Sequence, residues 1–422
     1  MNGLTSGLVV CWKGRCEMQS EVLKGNKNAV DECGQLLLQQ YKTFILPFWT
    51  SPSLLGNPVG NFPTYVSQTG VPDLSQPHYT RMHGRQTYVY LASYFLLHDP
   101  QLLEFGLKGL EFLERLRNPN GGYCSTSTIE GKPLDTPITI QDQCYSIFPY
   151  VMAYRVTQTR SYLDKLWQFI DFIDKGPYLQ ADGTYWDSLK PDMVTKAPFK
   201  TDSMNIVSVI DYLNAVLIPT LMVTPENEIT DGRKALLVKW CDLLVSDFYA
   251  KGVFWNDKRN RTDWRALHVD LGHTSKSYGI LFKANRLLQR WGMPKEKYHE
   301  IMANYPSIVK AAADEQVGWW TDFDGCAMKF AHIELSWWRH ILIDQTVLLY
   351  SSQYPELVEL LAQGVKAWLR LPFVDCKREV GGIRELLTAQ GQPITEDDNA
   401  VCKANLWKNG YHEVEHVVSF FE

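Results

Sequence analysis

The sequence predicts an all-α protein built as an (α/α)6 barrel, a toroid of about six helical hairpins. Three observations predict it. Two kinds of helix alternate along the chain, prolines recur where one kind hands over to the other, and a glycine–aromatic pair returns at a nearly fixed interval.

The first kind of helix is amphipathic. Leu103, Leu107, Leu110, Leu113 and Leu116 fall at helical spacing, with Glu104, Lys108, Glu111 and Glu114 between them, and Leu163, Leu166, Trp167, Ile170 and Ile173 repeat the pattern. Such a stripe gives one wet and one dry face. The second kind has no wet face: residues 88–97 are apolar on every side and residues 206–223 nearly so. A helix apolar all round is buried on all sides. Wet helices alternating with dry ones are what an outer and an inner ring require.

The hand-over from inner to outer helix carries Asp99-Pro100, Thr224-Pro225, Met293-Pro294 and Tyr354-Pro355. Proline at the first helical position loses no hydrogen bond, and the residue before it can cap. The third signal is Gly60, Gly122, Gly183, Gly252, Gly318 and a weaker copy at Gly382, each followed by an aromatic or large apolar residue and spaced 61 to 69 residues apart. A fixed period of this size is one hairpin plus its loop. Units of this kind bury their apolar faces only against each other. The period runs without a linker, so residues 1–422 read as one domain, with 1–26 as an N-terminal extension. The Gly/Pro/Ser-rich stretch 51–77 reads as a loop over the ring's mouth, and 388–398 as a second polar loop.

Composition narrows the function. The net charge is −5 and the basic residues do not cluster, which argues against nucleic acid as a partner. No apolar run reaches the ~20 residues of a membrane span, and the start lacks the basic region and cleavage site of a signal peptide. Nine cysteines without a CxxC pair point to a reducing cytoplasm rather than to a disulfide framework or a zinc site. Fourteen Trp, 21 Tyr and 18 Phe exceed what a core alone needs. They suit a cleft for a small molecule with flat apolar faces, a sugar ring or a hydrophobic metabolite. No phosphate loop or dinucleotide fingerprint is present, and no metal or cofactor is called for. A homodimer is left open.

Polar residues at the starts of the inner helices are the candidates for chemistry. His273 opens one such helix, and His412 and His416 lie four apart at the start of the last. His412-Glu413-Val414-Glu415-His416 fits the His-Glu-x-x-His zinc pattern literally, but nothing else in the chain resembles a protease. Arg85 opens the first inner helix, where a cation is costly unless paired or facing a ligand. Trp337 and Trp338 open another. Loop carboxylates Asp142, Asp187, Asp270, Asp322 and Asp324 are caps and turn residues by default, and an acid–base pair of a glycosidase by the sharper reading.

These residues together resemble the N-acylglucosamine 2-epimerase superfamily, which includes cellobiose 2-epimerases and mannose isomerases. The resemblance runs from about residue 30 to the end. It rests on Gly84-Arg85-Gln86-Thr87-Tyr88 with Ala92-Ser93-Tyr94, on Asp142-Gln143-Cys144-Tyr145, on Gly272-His273, on Trp337-Trp338 and on Tyr411-His412. It implies a sugar 2-epimerase or aldose–ketose isomerase without a cofactor, in which His273 and His412 move a proton at C2 and Arg85 meets the charge of an enediolate. Tyr88, Asn205, Lys276, Trp337, Trp338 and His416 become candidates for binding substrate.

Four positions depart from the family's pattern. Lys276 stands where a Glu follows the first histidine, Asn205 and Ser208 stand where a His and a Glu follow Met204, and Leu342 stands near a further Glu. A cation at 276 works against protonation of a neighbouring histidine. These changes keep three rivals in view on the same ring: an isomerase or cyclase acting on a hydrophobic natural-product precursor, a glycoside hydrolase or lyase, and a binding protein without catalysis.

Overall fold

The computed structural model describes residues 24–197, 204–256, 268–324, 329–376, 380–397 and 401–422. The proposed extension at 1–26 lies almost wholly outside them, as does the last residue of the 388–398 loop.

Six inner helical segments form a ring. They are α3 (Thr80–Leu97), the pair α5 (Ile140–Ile147) and α6 (Pro149–Thr157), the pair α8 (Ile206–Asp211) and α9 (Ile218–Val223) joined by a π-turn, α11 (Leu271–Arg290), α14 (Trp337–Ser351) and α16 (Tyr411–Phe421). Each packs on the next, and α16 packs back on α3 to close the circle. Residues 206–223 are long and apolar enough to cross a membrane by length alone, and they are mostly buried inside this ring.

The outer layer comprises α1 (Lys24–Gln40) with its continuation α2 (Leu46–Trp49), α4 (Pro100–Leu113), α7 (Arg160–Lys175), α10 (Asp231–Phe248), the pair α12 (Glu296–Met302) and α13 (Tyr305–Ala312), and α15 (Leu357–Arg370). The amphipathic stripes face inward: Leu163, Leu166, Ile170 and Ile173 of α7 are all buried. Helix α1 packs on both α15 and α16, so the first outer helix covers the seam where the ring closes.

The recurring glycines have a shared conformation. Gly60, Gly122, Gly183, Gly252, Gly318 and Gly382 all have φ between 68° and 103°, a left-handed region that costs an L side chain about 1–2 kcal/mol. Gly122, Gly183, Gly252 and Gly318 each lie in a short antiparallel turn after an outer helix, as in the pairing of Tyr249 with Phe254 and of Ala313 with Trp319. The period is therefore a repeated backbone turn.

The prolines behave less uniformly. Pro100 is the first residue of α4, and Asp99 caps it by accepting from the Gln101 N–H. Pro225, Pro294 and Pro355 precede their outer helices by two to six residues; Pro225 ends α9 at its cap Thr224, whereas α11 and α14 end four positions before Pro294 and Pro355. Proline bars its predecessor from helical backbone, so it ends one helix as readily as it begins another.

Candidate active site

All connections from an outer to an inner helix are long and carry the β-turns, whereas those from inner to outer are short. The inner helices therefore run parallel and present their N-termini at one mouth. Three carry side-chain caps there: Thr139 on α5, Asn205 on α8 and Asp270 on α11. The first two turns of these helices hold the predicted residues.

His273 is the best-positioned of them. Asp270 accepts from its backbone N–H through one oxygen and lies 2.7 Å from its Nδ1 through the other. The cap thus also fixes the imidazole, and Nε2 has no hydrogen-bond partner among the described residues. Burial would raise the Asp270 carboxyl, but His273 and Arg339 hold it well below the usual carboxylate range.

His412 is set differently. Burial pushes its pKa well down, and the charges of Arg85, Lys276 and His273 push it the same way. It is neutral at pH 7 and has no hydrogen-bond partner among the described residues. Trp338 bridges the two imidazoles, with its ring 4.8 Å from that of His273 and 6.2 Å from that of His412.

Arg85 is buried, yet no carboxylate lies within ion-pair range among the described residues. Its guanidinium rests 3.7 Å over the ring of Tyr145 and 5.3 Å from that of Tyr411. One nitrogen donates to the Trp407 carbonyl at 3.3 Å, and Nε has no partner. Two phenol rings and a backbone carbonyl hold the cation without neutralising it.

Beneath Arg85 lies an ion pair that the sequence did not signal clearly. Lys276 donates to Asp211. Asp211 also accepts from Gln141 at 2.8 Å and from the Tyr145 hydroxyl at 2.9 Å. Burial raises the Asp211 carboxyl, but Lys276 and Arg85 overcome that and hold it low. Asp211 was the detectable clue, as a lone carboxylate in an otherwise apolar helix. The aliphatic part of Lys276 and the side chain of Leu342 also line a cavity that opens at the opposite end of the ring, beside Lys283, Gln345 and Glu415.

The other candidates scatter. Trp337 is buried, and its indole N–H donates to Glu413 at 2.7 Å. Tyr88 stacks on Phe148 at 4.1 Å and gives its hydroxyl hydrogen to Glu415, below the mouth. Asn205 donates to Asp187 at 3.2 Å, and the Ser208 hydroxyl donates to the same carboxylate at 2.6 Å. Burial raises Asp187 to about 6. His416 turns away from His412 toward the outer layer. Its ring lies edge-on to Trp368, and its Nε2 is 3.0 Å from Asp344, out of line for a hydrogen bond. Among the described residues no three His, Cys, Asp or Glu side chains converge as metal ligands. The literal His-Glu-x-x-His match therefore has its two histidines facing different surroundings.

The loop carboxylates have internal partners. Asp142 accepts from Arg81, Ser125 and Thr139, and Asp322 accepts from Arg339. Arg81 itself lies 4.2 Å from the ring of Trp407, which is 44% exposed at the mouth. Neither Arg81 nor Trp407 was foreseen, because a single Arg in the first turn of α3 and a single Trp in a loop carry no pattern.

The sequence matches no protein-family model and no curated protein sequence. The structure, however, is similar to solved ones. The cellobiose 2-epimerase of Bacillus thermoamylovorans B4167 superposes with a TM-score of 0.77 at 16% identity, over 92% of this chain and 99% of that one. A D-mannose isomerase superposes with 0.73 at 15% identity, over 92% and 97%. A family 76 glycoside hydrolase from a bovine Bacteroides thetaiotaomicron strain shares the architecture less closely, with 0.57 at 10% identity over 93% and 78%. In fold, then, the chain is an (α/α)6 barrel, the architecture it shares with these solved structures.

Proposed function

We propose that this chain is a sugar 2-epimerase or aldose–ketose isomerase that works through an enediolate. The observation that carries the reading is Arg85, a buried cation without a carboxylate partner among the described residues, close enough to the His412 imidazole to help push its pKa down. A buried unpaired charge costs several kcal/mol unless something answers it. An oxyanion formed during the reaction answers it at the moment of need.

The steps follow from the residues. His412 is neutral and unbonded, and acts as the base that takes the C2 proton of the opened aldose. The C2–H electron pair moves to form the enediol double bond, and charge collects on O1 beside Arg85. His273, oriented by Asp270 through Nδ1, supplies a proton to C2 from the other face for epimerisation, or to C1 for the ketose while the O2 hydrogen passes to O1. Trp338 provides the flat wall between the two rings.

A glycosidase or lyase reading is less favoured, because Asp142, Asp187, Asp270 and Asp322 are each occupied by internal partners. Action on a hydrophobic precursor keeps one specific support, the stack of Tyr88, Phe148 and Tyr411 around the axis. The test is a panel of aldoses incubated in deuterated water and followed by NMR. Solvent deuterium at C2 supports the proposal. Silence on every sugar, with binding of apolar ligands, would transfer support to the second reading.

A further inference from the structure

Glu413 is 1% exposed and follows His412 in the first turn of α16. Its Oε1 accepts from Trp337 Nε1 at 2.7 Å, and Trp337, also 1% exposed, is the first residue of α14. The bond thus ties the start of one inner helix to the start of the next. From those two starts project Trp338 and His412, the indole wall and the imidazole it faces.

The other anchors at this place do not join the two helix starts to each other: the Trp337 N–H donates to the Glu385 carbonyl at 3.2 Å, and Asn409 accepts from the Tyr411 N–H at 3.2 Å and donates to the Met82 carbonyl at 3.0 Å. Helices α5, α8 and α11 are each fixed at the mouth by a capping side chain. Ser336 before α14 makes no side-chain cap, and α16 starts after Gly410. We propose that Glu413 is a positioning residue, and that its hydrogen bond to Trp337 sets His412 against Trp338 for proton transfer. This inference rests on the enediolate reading for its catalytic consequence.

The surroundings favour an uncharged carboxyl. Helix α14 offers Glu413 only the indole N–H, and the α1 side contributes the Tyr41 phenol, already bonded to Ser93. The loop before α16 contributes the Lys408 ammonium, which donates to the Cys402 carbonyl. The second oxygen, Oε2, has no partner among the described residues. Burial pushes the carboxyl up to about 8, against smaller opposing effects of its backbone hydrogen bond, Trp337 and Lys408. At neutral pH it accepts the indole hydrogen without carrying a buried charge. At alkaline pH it ionises, and the buried anion draws water or Lys408 into the space between the two helix starts.

The test uses the full chain, with Glu413→Gln, Glu413→Ala and wild type compared in two ways. The first is the indole N–H signal of Trp337 and the ring signals of His412 in NMR spectra from pH 6 to 9.5. The expected result is that both shift in wild type with a midpoint near 8, stay constant in Glu413→Gln and are already shifted in Glu413→Ala. The second is C2 proton exchange on a sugar that wild type accepts. Glu413→Ala should lower kcat at least tenfold with KM within threefold, and Glu413→Gln should retain kcat and lose the alkaline limb. If His412 signals and kcat are unmoved in Glu413→Ala, or if Glu413→Gln titrates like wild type, the positioning role is wrong. If Glu413→Ala does not fold, the wild-type and Glu413→Gln titrations still decide. Absence of exchange in wild type on every sugar counts against the enediolate reading alone, because the spectra do not depend on it.

Discussion

Lys276 and Asp211 meet beneath the paired histidines as a buried ion pair between α11 and α8, with both side chains almost wholly out of water. The pair replaces, within one pocket, a lone charge that neither helix could carry by itself. Removing one partner leaves the other uncompensated, at about 3–5 kcal/mol. Lys276→Met is therefore expected to destabilise by that amount, and Lys276→Met with Asp211→Asn to recover most of it. Urea unfolding of the single and double variants reads this directly. A loss in the double variant equal to the sum of the two single losses would show that the pair contributes no coupling.

Asp270→Asn separates capping from chemistry. Asn caps a helix about as well as Asp, so α11 should keep its stability. The His273 ring loses the carboxylate that holds its Nδ1. C2 exchange is expected to fall by roughly 10²-fold or more, within the range of general acid–base contributions. An Asn variant with full exchange would remove His273 from the proposed pair.

Two further histidines, outside the site, govern acid stability. His78 and His83 are buried, and burial depresses their pKa values to about 4 and about 3. As pH falls below 6.5 the unfolded chain takes up these protons first, so stability rises with pH between the folded values and 6.5. For His78 alone the loss on going to pH 4 is roughly 3 kcal/mol. Glu413 and Glu415 work in the opposite sense. Their carboxyls are raised to about 8 and about 7, so their contribution is full at low pH and is lost as pH rises through those values. His78→Phe should flatten the acid limb of a urea-unfolding profile while leaving the alkaline limb unchanged. Parallel profiles would sink the assignment.

The turn glycines should not be equivalent. A Cβ at Gly183 meets nothing within 4 Å, whereas one at Gly318 would lie 2.7 Å from His340 Cε1. Gly183→Ala is expected to cost about 1–2 kcal/mol from its left-handed backbone alone. Gly318→Ala should cost clearly more, because His340 is buried and bonded to the Gly364 carbonyl. Thermal unfolding of the two variants side by side checks the order.

How much of this was legible in the sequence depends on what kind of pattern each feature leaves. The ring was legible because burial writes itself into periodicity: α7 shows its dry stripe, 206–223 shows none, and the glycines mark turns that other residues adopt at a penalty. His273 and Arg85 were legible as polar groups in places that do not tolerate them idly. The direction of a side chain around its helix was not. His416 repeats His412 one turn later and faces Trp368 instead of the cleft. Tyr88 opens toward Glu415. The partners of Lys276 lie 65 and 131 residues away in the chain, a separation for which local spacing holds no information.

The seam covered by α1 has a consequence for how the molecule comes into being. Arg85 belongs to the first inner helix and His412 to the last, and they are neighbours only across that seam, where Asn409 donates to the Met82 carbonyl over a separation of 327 residues. Contacts so distant in sequence form late in folding, after the entropy of closing the intervening chain has been met. Five hairpins assembled in an arc would contain most of the aromatic wall and one histidine, but no place for a substrate. Synthesis therefore yields an inert crescent until its last hairpin docks, and circularity and reactivity arrive in a single event.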